Sequence, residues 1–169
     1  GATLDFVMGP QPSRWGSGAD DVPRSLTAPG KRPQMLHDLL GNGARAALAD
    51  GRAVPALLDD DATTAVPLGA GATIALSAVG DGAPTMYTLT SGDGAIRGGS
   101  WTLEARSNGG AWVVLDERSG ETFDSPRQTR PFRIATPARH AEYRLRLGAP
   151  GRLALAEIEL LAPASTLAR

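Results

Sequence analysis

The chain has no cysteine among its 169 residues, which removes disulfides, thiolate metal ligands and thiol nucleophiles together. Aromatic residues are scarce, with three Trp, two Tyr and three Phe, so few rings remain for a ligand platform once a core is built. Charge is balanced: 17 Lys and Arg face 18 Asp and Glu, a formal net charge of -1. No basic field exists to attract nucleic acid or anionic lipid. No apolar run approaches the roughly 18 residues that a membrane-spanning helix requires, so membrane insertion is not expected. The opening residues do not read as a signal peptide, and no Asn-X-Ser/Thr sequon occurs. Histidine is limited to His37 and His140, far apart and in no metal spacing, and both are expected at the surface or in loops.

Turn-forming residues are plentiful: 21 Gly and 13 Pro imply many turns, as in an all-β chain. The first residues, "GATLDFVMG", lack an initiator methionine, which leads us to expect a piece of a longer protein. Composition divides the sequence into a tail over 1–27, a linker over 28–43, a β-rich body over 44–161 and a C-terminal tail over 162–169. Within the linker, "QMLHDLL" reads as two helical turns stopped by Gly41 and Gly43.

From about residue 44 the text breaks into short apolar or alternating runs. Strands are expected at Thr73 to Val79, Thr85 to Thr90, Trp101 to Ser107, Trp112 to Asp116, Pro131 to Thr136, Glu142 to Leu147 and Leu153 to Leu161. In "EYRLRL", Tyr143, Leu145 and Leu147 share one face and Glu142, Arg144 and Arg146 the other, a period of two. Asn108-Gly109 between two such runs predicts a hairpin over Trp101 to Asp116.

No catalytic constellation stands out. "GNGARA", Gly41 to Ala46, fits a loose dinucleotide pattern but lacks the preceding strand and following helix that the motif needs; it reads as a turn. No Gly-x-Ser-x-Gly elbow occurs. Glu104 and Glu142 occupy the polar parity of their strands and are expected to be solvated rather than a glycosidase pair.

The densest charge lies in "PALLDDDATTAV", Pro55 to Val66, where Asp59, Asp60 and Asp61 adjoin a threonine pair. Two readings fit it, an exposed acidic turn or a cation loop. An EF-hand is excluded, because the sixth residue from Asp59 is Thr64 and the twelfth is Ala70. Calcium nevertheless accepts six to eight oxygens in flexible geometry, and a tight loop can supply them.

"ALLDDDATTAV" resembles the Asp-Gly-Asp-x-x-Thr-x-Trp loop of the discoidin, or coagulation-factor type C, galactose-binding-like domains. "SWTLEARSNGGAWVVLDERSGETF", then "QTRPFRI", "EYRLRL" and "LALAEIELL", follow in that family's order, from about Ala44 to Leu161. The resemblance implies an all-β, antiparallel jelly-roll sandwich of about eight strands with a structural Ca²⁺. Carried over by position, the ligands are the Ala56 carbonyl, the Asp59 side chain, the Asp61 carbonyl, the Thr64 oxygens, the Ala156 carbonyl and the Glu157 carboxylate. Asp60, and the Asp61 side chain, then stay solvated. Such an ion closes a long loop between the acidic segment and the last strand. Val66 stands in place of the family's tryptophan, and Arg97, Gly98 and Gly99 replace a common Asp-Pro, departures that alter packing and loop shape.

A second resemblance covers residues 1–27. "GATLDFVMGPQPSRWGSGADDVPRSLT" is similar to the end of the catalytic portion of family 92 glycoside hydrolases, calcium-dependent exo-α-mannosidases. This implies a secreted parent enzyme whose acid, base and catalytic calcium ligands lie upstream, and a fragment with no catalysis of its own. Sugar-binding members of the sandwich family place rings with Arg, His or Asn donors on tip loops. Here Trp101, Trp112, Phe123, Phe132 and Tyr143 match core positions, leaving Arg97, Asn108 and Arg127 as candidate sugar donors. The expected partner is a glycan, or the parent's own catalytic domain if sugar binding has been lost. Mannoside turnover by the fragment itself is the third and least supported reading.

Overall fold

The computed structural model describes residues 35–41, 43–148 and 153–164, and the expectations for residues 1–27 lie outside these. The chain divides into two units after Met35, and the strands belong to the second. In chain order they are β1 (Leu36–Asp38), β2 (Arg45–Leu48), β3 (Val66–Leu68), β4 (Thr73–Ser77), β5 (Met86–Ser91), β6 (Ile96–Arg106), β7 (Val113–Phe123), β8 (Thr129–Arg133), β9 (Glu142–Leu147) and β10 (Leu153–Pro163). A four-residue 3-10 turn, Pro55–Leu58, is the sole helical element among the described residues.

Two antiparallel sheets result. One has the order β1-β10-β5-β8, with β3 also pairing β10; the other runs β2-β4-β9-β6-β7. Period-two patterning decides which faces meet. β9 buries Tyr143, Leu145 and Leu147, β4 buries Ile74 and Leu76, and β6 buries Trp101, Leu103 and Ala105. Opposite them lie Tyr87 and Leu89 of β5, Phe132 of β8 and Leu155, Ile158 and Leu160 of β10. Each large aliphatic side chain withdrawn here contributes about 1.5–3 kcal/mol before entropy is counted. Trp101 meets Phe132 edge-on at 5.2 Å and Tyr87 stacks on Phe132 at 5.3 Å, geometries that ring quadrupoles favour.

Polar bonds cross the same core. Trp101 Nε1 donates to the Tyr87 hydroxyl at 2.8 Å, and that hydroxyl donates to Asp116 Oδ2 at 2.7 Å. Arg118 Nε donates to the same oxygen at 2.7 Å and its Nη2 to the Arg133 carbonyl at 2.7 Å. Each of these donors has its acceptor, as a buried network requires if it is to stabilise rather than cost. Burial, with Asp116 acting in the same direction, pushes the Tyr87 hydroxyl far above the ordinary tyrosine range.

Several expectations need correction. The helix expected over "QMLHDLL" does not form in its described residues, from Met35 onward: Leu36–Asp38 pairs with β10 from Pro163 to Leu161. The Asp38 carboxylate accepts from the Leu40 and Leu160 amides at 2.9 and 3.0 Å, while Leu39 and Leu40 enter the core. Ladder bonds to an open strand edge and a side chain competing for backbone donors outweigh two turns of marginal helix. Glu104 is not solvated but 5% exposed, held by Arg144 at 2.6 Å and Arg146 at 3.3 Å. Trp112 is absent from the core. Ala105 pairs with Val113 and Glu104 with Val114, so the ring falls on the outer face, 4.5 Å from the Arg106 guanidinium and 4.1 Å from that of Arg144. The hairpin forms as the sequence predicts, with Asn108 and Gly109 both at positive φ and Gly110 N donating to the Ser107 carbonyl, a primed turn.

Candidate functional site

The 3-10 turn packs on β10 and β2 and delivers the acidic segment to the middle of β10. There the ladder slips by one residue between Leu155 and Glu157, a bulge that leaves Ala156 without an opposing partner. Glu157 is 8% exposed. Its Oε2 lies 2.6 Å from the Asp61 amide, whose proton also faces Asp59 Oδ1 at 2.9 Å. The Thr64 hydroxyl is 2.7 Å from Asp59 Oδ2 and 2.9 Å from the Asp61 carbonyl. The Asp61 amide proton is thus shared between two carboxylates, and the Thr64 hydroxyl lies between a carboxylate and a carbonyl.

The proximity of the two carboxylates sets the electrostatics. Burial first, then the neighbouring Asp59, pushes the Glu157 carboxyl up to about 7. The Thr64 hydroxyl, foremost, holds Asp59 below the ordinary carboxylate range. Among the described residues no Lys or Arg pairs with either acid, and no group of three or more His, Asp or Glu side chains gathers. Two carboxylates with neutral oxygens is a hard donor set of the kind that Ca²⁺ accepts. Asp59, Thr64 and Glu157 come together, and Ala56 and Ala156 lie in the adjoining turn and bulge. The Asp61 carbonyl is committed to Thr64, accepting from its amide at 3.1 Å as well. Asp60 and the Asp61 side chain are exposed, the latter accepting from the Thr63 amide and hydroxyl at 2.9 and 2.6 Å.

The three candidate sugar donors do not converge. Arg97 opens β6, where it sits 3.9 Å from Asp124, and Arg127, at φ 53°, pairs with Asp93 at 2.8 Å. Asn108 follows the other end of β6, an 11-residue strand, and so lies a strand's length away. It belongs instead to a cleft of about 370 Å³ lined by Val79, Gly80, Asp81, Ser107, Asn108, Arg139, His140 and Ala141. Three loops build it: β4–β5, β6–β7 and β8–β9. Arg139 pairs with Asp81, and Ser107 Oγ lies 3.2 Å from His140 Nδ1. The His140 amide donates to the Tyr143 hydroxyl at 3.1 Å, and the imidazole meets that ring edge-on at 6.3 Å. Core packing therefore orients the histidine. Sequence reasoning placed His140 in a loop without a role there and did not single out Asp81, Ser107 or Arg139. The adjacent Arg-His of "TPARHAEY" was the one local sign of them.

A wider cleft, about 570 Å³, runs between the β1–β2 connection and the acidic loop, lined by Asp38, Arg45, Asp59 and Asp60 over Leu40, Leu58 and Ile158 among others. Its Asp38 carboxylate accepts two backbone amides on Oδ1, and Asp59 belongs to the acidic cluster. The smaller cleft has the more varied set of donors and acceptors, which hydroxyl recognition requires.

Solved structures share this fold. The family 32 carbohydrate-binding module of Clostridium perfringens NanJ, in complex with galactose, matches at TM-score 0.59 and 11% identity, over 75% of this chain and 99% of that one. An F5/8 type C domain from Bacteroides fragilis matches at TM-score 0.60 and 14% identity, over 77% and 97%. A GH29 fucosidase of Ruminococcus gnavus, in complex with fucose, matches at TM-score 0.58 and 15% identity, over 76% of this chain but 27% of the enzyme. No protein-family model and no curated protein matches the sequence. The chain has the galactose-binding-like jelly-roll fold of the discoidin and family 32 modules.

Proposed function

We propose that the chain is a non-catalytic, carbohydrate-binding accessory domain of a secreted glycoside hydrolase, with its sugar site in the cleft formed by Asp81, Ser107, Asn108, Arg139 and His140. The observation that carries this reading is the convergence of a carboxylate, an amide, a hydroxyl, a guanidinium and an imidazole from three loops at one end of the sandwich. Sugar hydroxyls both donate and accept, so mixed polar groups on a rigid scaffold suit them. Arg139 supplies donors and Asp81 an acceptor, Asn108 supplies both, and His140 retains Nε2 beyond the atom engaged by Ser107. The fold likeness to a galactose-bound module supports the same reading.

The parent enzyme, on this proposal, is an α-mannosidase of the family 92 type, as the resemblance of residues 1–27 implies, and it acts outside the cell. A Ca²⁺ held by Asp59, Thr64, Glu157 and neighbouring carbonyls of Ala56, Asp61 or Ala156 is structural, fastening the acidic loop to β10. One observation favours weak binding or none: among the described residues the cleft has no Trp, Tyr or Phe in its lining. The domain then serves by packing on the catalytic part.

A glycan array probed with the 169-residue chain separates these readings. Retention on a defined glycan class that Arg139→Ala abolishes, with melting temperature unchanged, supports sugar binding. No retention on any glycan, in a chain whose melting temperature falls on chelation, supports the structural role.

A further inference from the structure

We infer that Asp81 determines specificity, making the end cleft select uncharged sugars over uronic acids, an inference that rests on the carbohydrate-binding reading above. The cleft contains one acid and one strong base, Asp81 and Arg139, and these are joined as an ion pair. The adjoining pair at the strand ends, Arg106 and Glu142, is also matched, at 2.9 Å. Formal charge in and beside the cleft therefore sums to zero.

Both partners remain open to ligand, with 62% of the Arg139 side chain and 84% of the Asp81 side chain exposed. The pair presents a donor beside an acceptor: further guanidinium N–H groups next to the second carboxylate oxygen. Neighbouring hydroxyls on a pyranose match that arrangement, one accepting from Arg139 while the other donates to Asp81. The Asn108 amide and the His140 imidazole extend the surface with further polar groups.

A hexuronate differs from its hexose by a carboxylate in place of a hydroxymethyl group. In this cleft it either faces Asp81 directly or displaces it from Arg139, and in both cases one negative charge is left unmatched. At contact distance in a solvent-exposed setting, that repulsion weakens binding about ten-fold. Replacing Asp81 by a neutral isostere leaves Arg139 uncompensated, and the preference should vanish or reverse.

The test is titration of the 169-residue chain and its Asp81→Asn variant with three matched methyl glycoside pairs, galactose and galacturonic acid, glucose and glucuronic acid, mannose and mannuronic acid, followed by amide chemical shifts. The expected result is at least one hexose bound about ten-fold more tightly than its uronate by the wild type, and a ratio reduced to unity or inverted in the variant at an unchanged melting temperature. A wild type that binds the uronate as well as the hexose, or a variant that keeps the original ratio, overturns the role of Asp81 while leaving a sugar site in place. No response of the cleft amides to any of the six sugars overturns the carbohydrate reading and this inference with it.

Discussion

Chelation of divalent cations should lower the melting temperature of the wild-type chain and leave that of its Glu157→Gln variant nearly unchanged. Without a cation, Glu157 is 8% exposed and shares the Asp61 amide proton with Asp59. Burial and Asp59 raise its carboxyl from 4.5 to about 7, which corresponds to about 3 kcal/mol of unfavourable interaction in the charged form. At about pH 8, in chelator, a glutamine at this position removes the repulsion and adds a donor toward Asp59. The variant should therefore melt above the wild type, by up to roughly 10 °C for a domain of this size. In calcium at a hundred-fold excess over the dissociation constant the wild type gains about 2.7 kcal/mol, whereas the variant, short of one carboxylate, gains little, so the order of melting temperatures narrows or inverts. Scanning calorimetry of both proteins with chelator and with millimolar calcium reads the four values. A wild type indifferent to chelation, or a variant less stable than the wild type in chelator, refutes the reasoning.

Two further perturbations probe the sandwich. Glu104→Gln should lower stability by about 1–3 kcal/mol near neutral pH, since it breaks a nearly buried carboxylate from Arg144 and Arg146. Burial raises the Glu104 carboxyl, but the Arg144 and Thr102 hydrogen bonds and the two arginine charges outweigh it and hold it below 4.5. The stabilisation is thus present above pH 4.5 and lost as pH falls through the lowered value. Urea unfolding at pH 7 and below pH 4 should show the difference between variant and wild type shrinking in acid. Tyr87→Phe should cost about 2–4 kcal/mol, because it strands the Trp101 N–H and removes a donor from Asp116; near-ultraviolet circular dichroism and urea unfolding check it.

The strands with clean alternation were legible in the sequence, and β9 coincides with its expected span because Tyr143, Leu145 and Leu147 alternate with charge. β1, β2 and β3 were not, as three or four residues are too few to establish a period. β6 and β7 run longer than expected because Gly98, Gly99 and Gly120 interrupt the pattern while register shifts absorb them. Trp112 was misassigned because its face depends on the register of the hairpin, in which Glu104 opposes Val114. The acidic loop drew notice through charge density, and the structure brings Asp59 and Glu157 within reach of one amide. The end cleft escaped notice because its residues lie on three loops far apart in sequence, each loop polar and unremarkable alone. Arg97 and Arg127 were singled out by residue type, yet each lies beside an aspartate at the opposite end of β6 from Asn108.

The measurement that bears most directly on the central claim is amide chemical-shift mapping of the chain on addition of the glycan class recovered from the array. Perturbations should be confined to the neighbourhood of Asp81, Ser107, Asn108, Arg139 and His140 and abolished by Arg139→Ala. Perturbations centred on Arg97 and Arg127, or on Arg45 and Asp59, would contradict it.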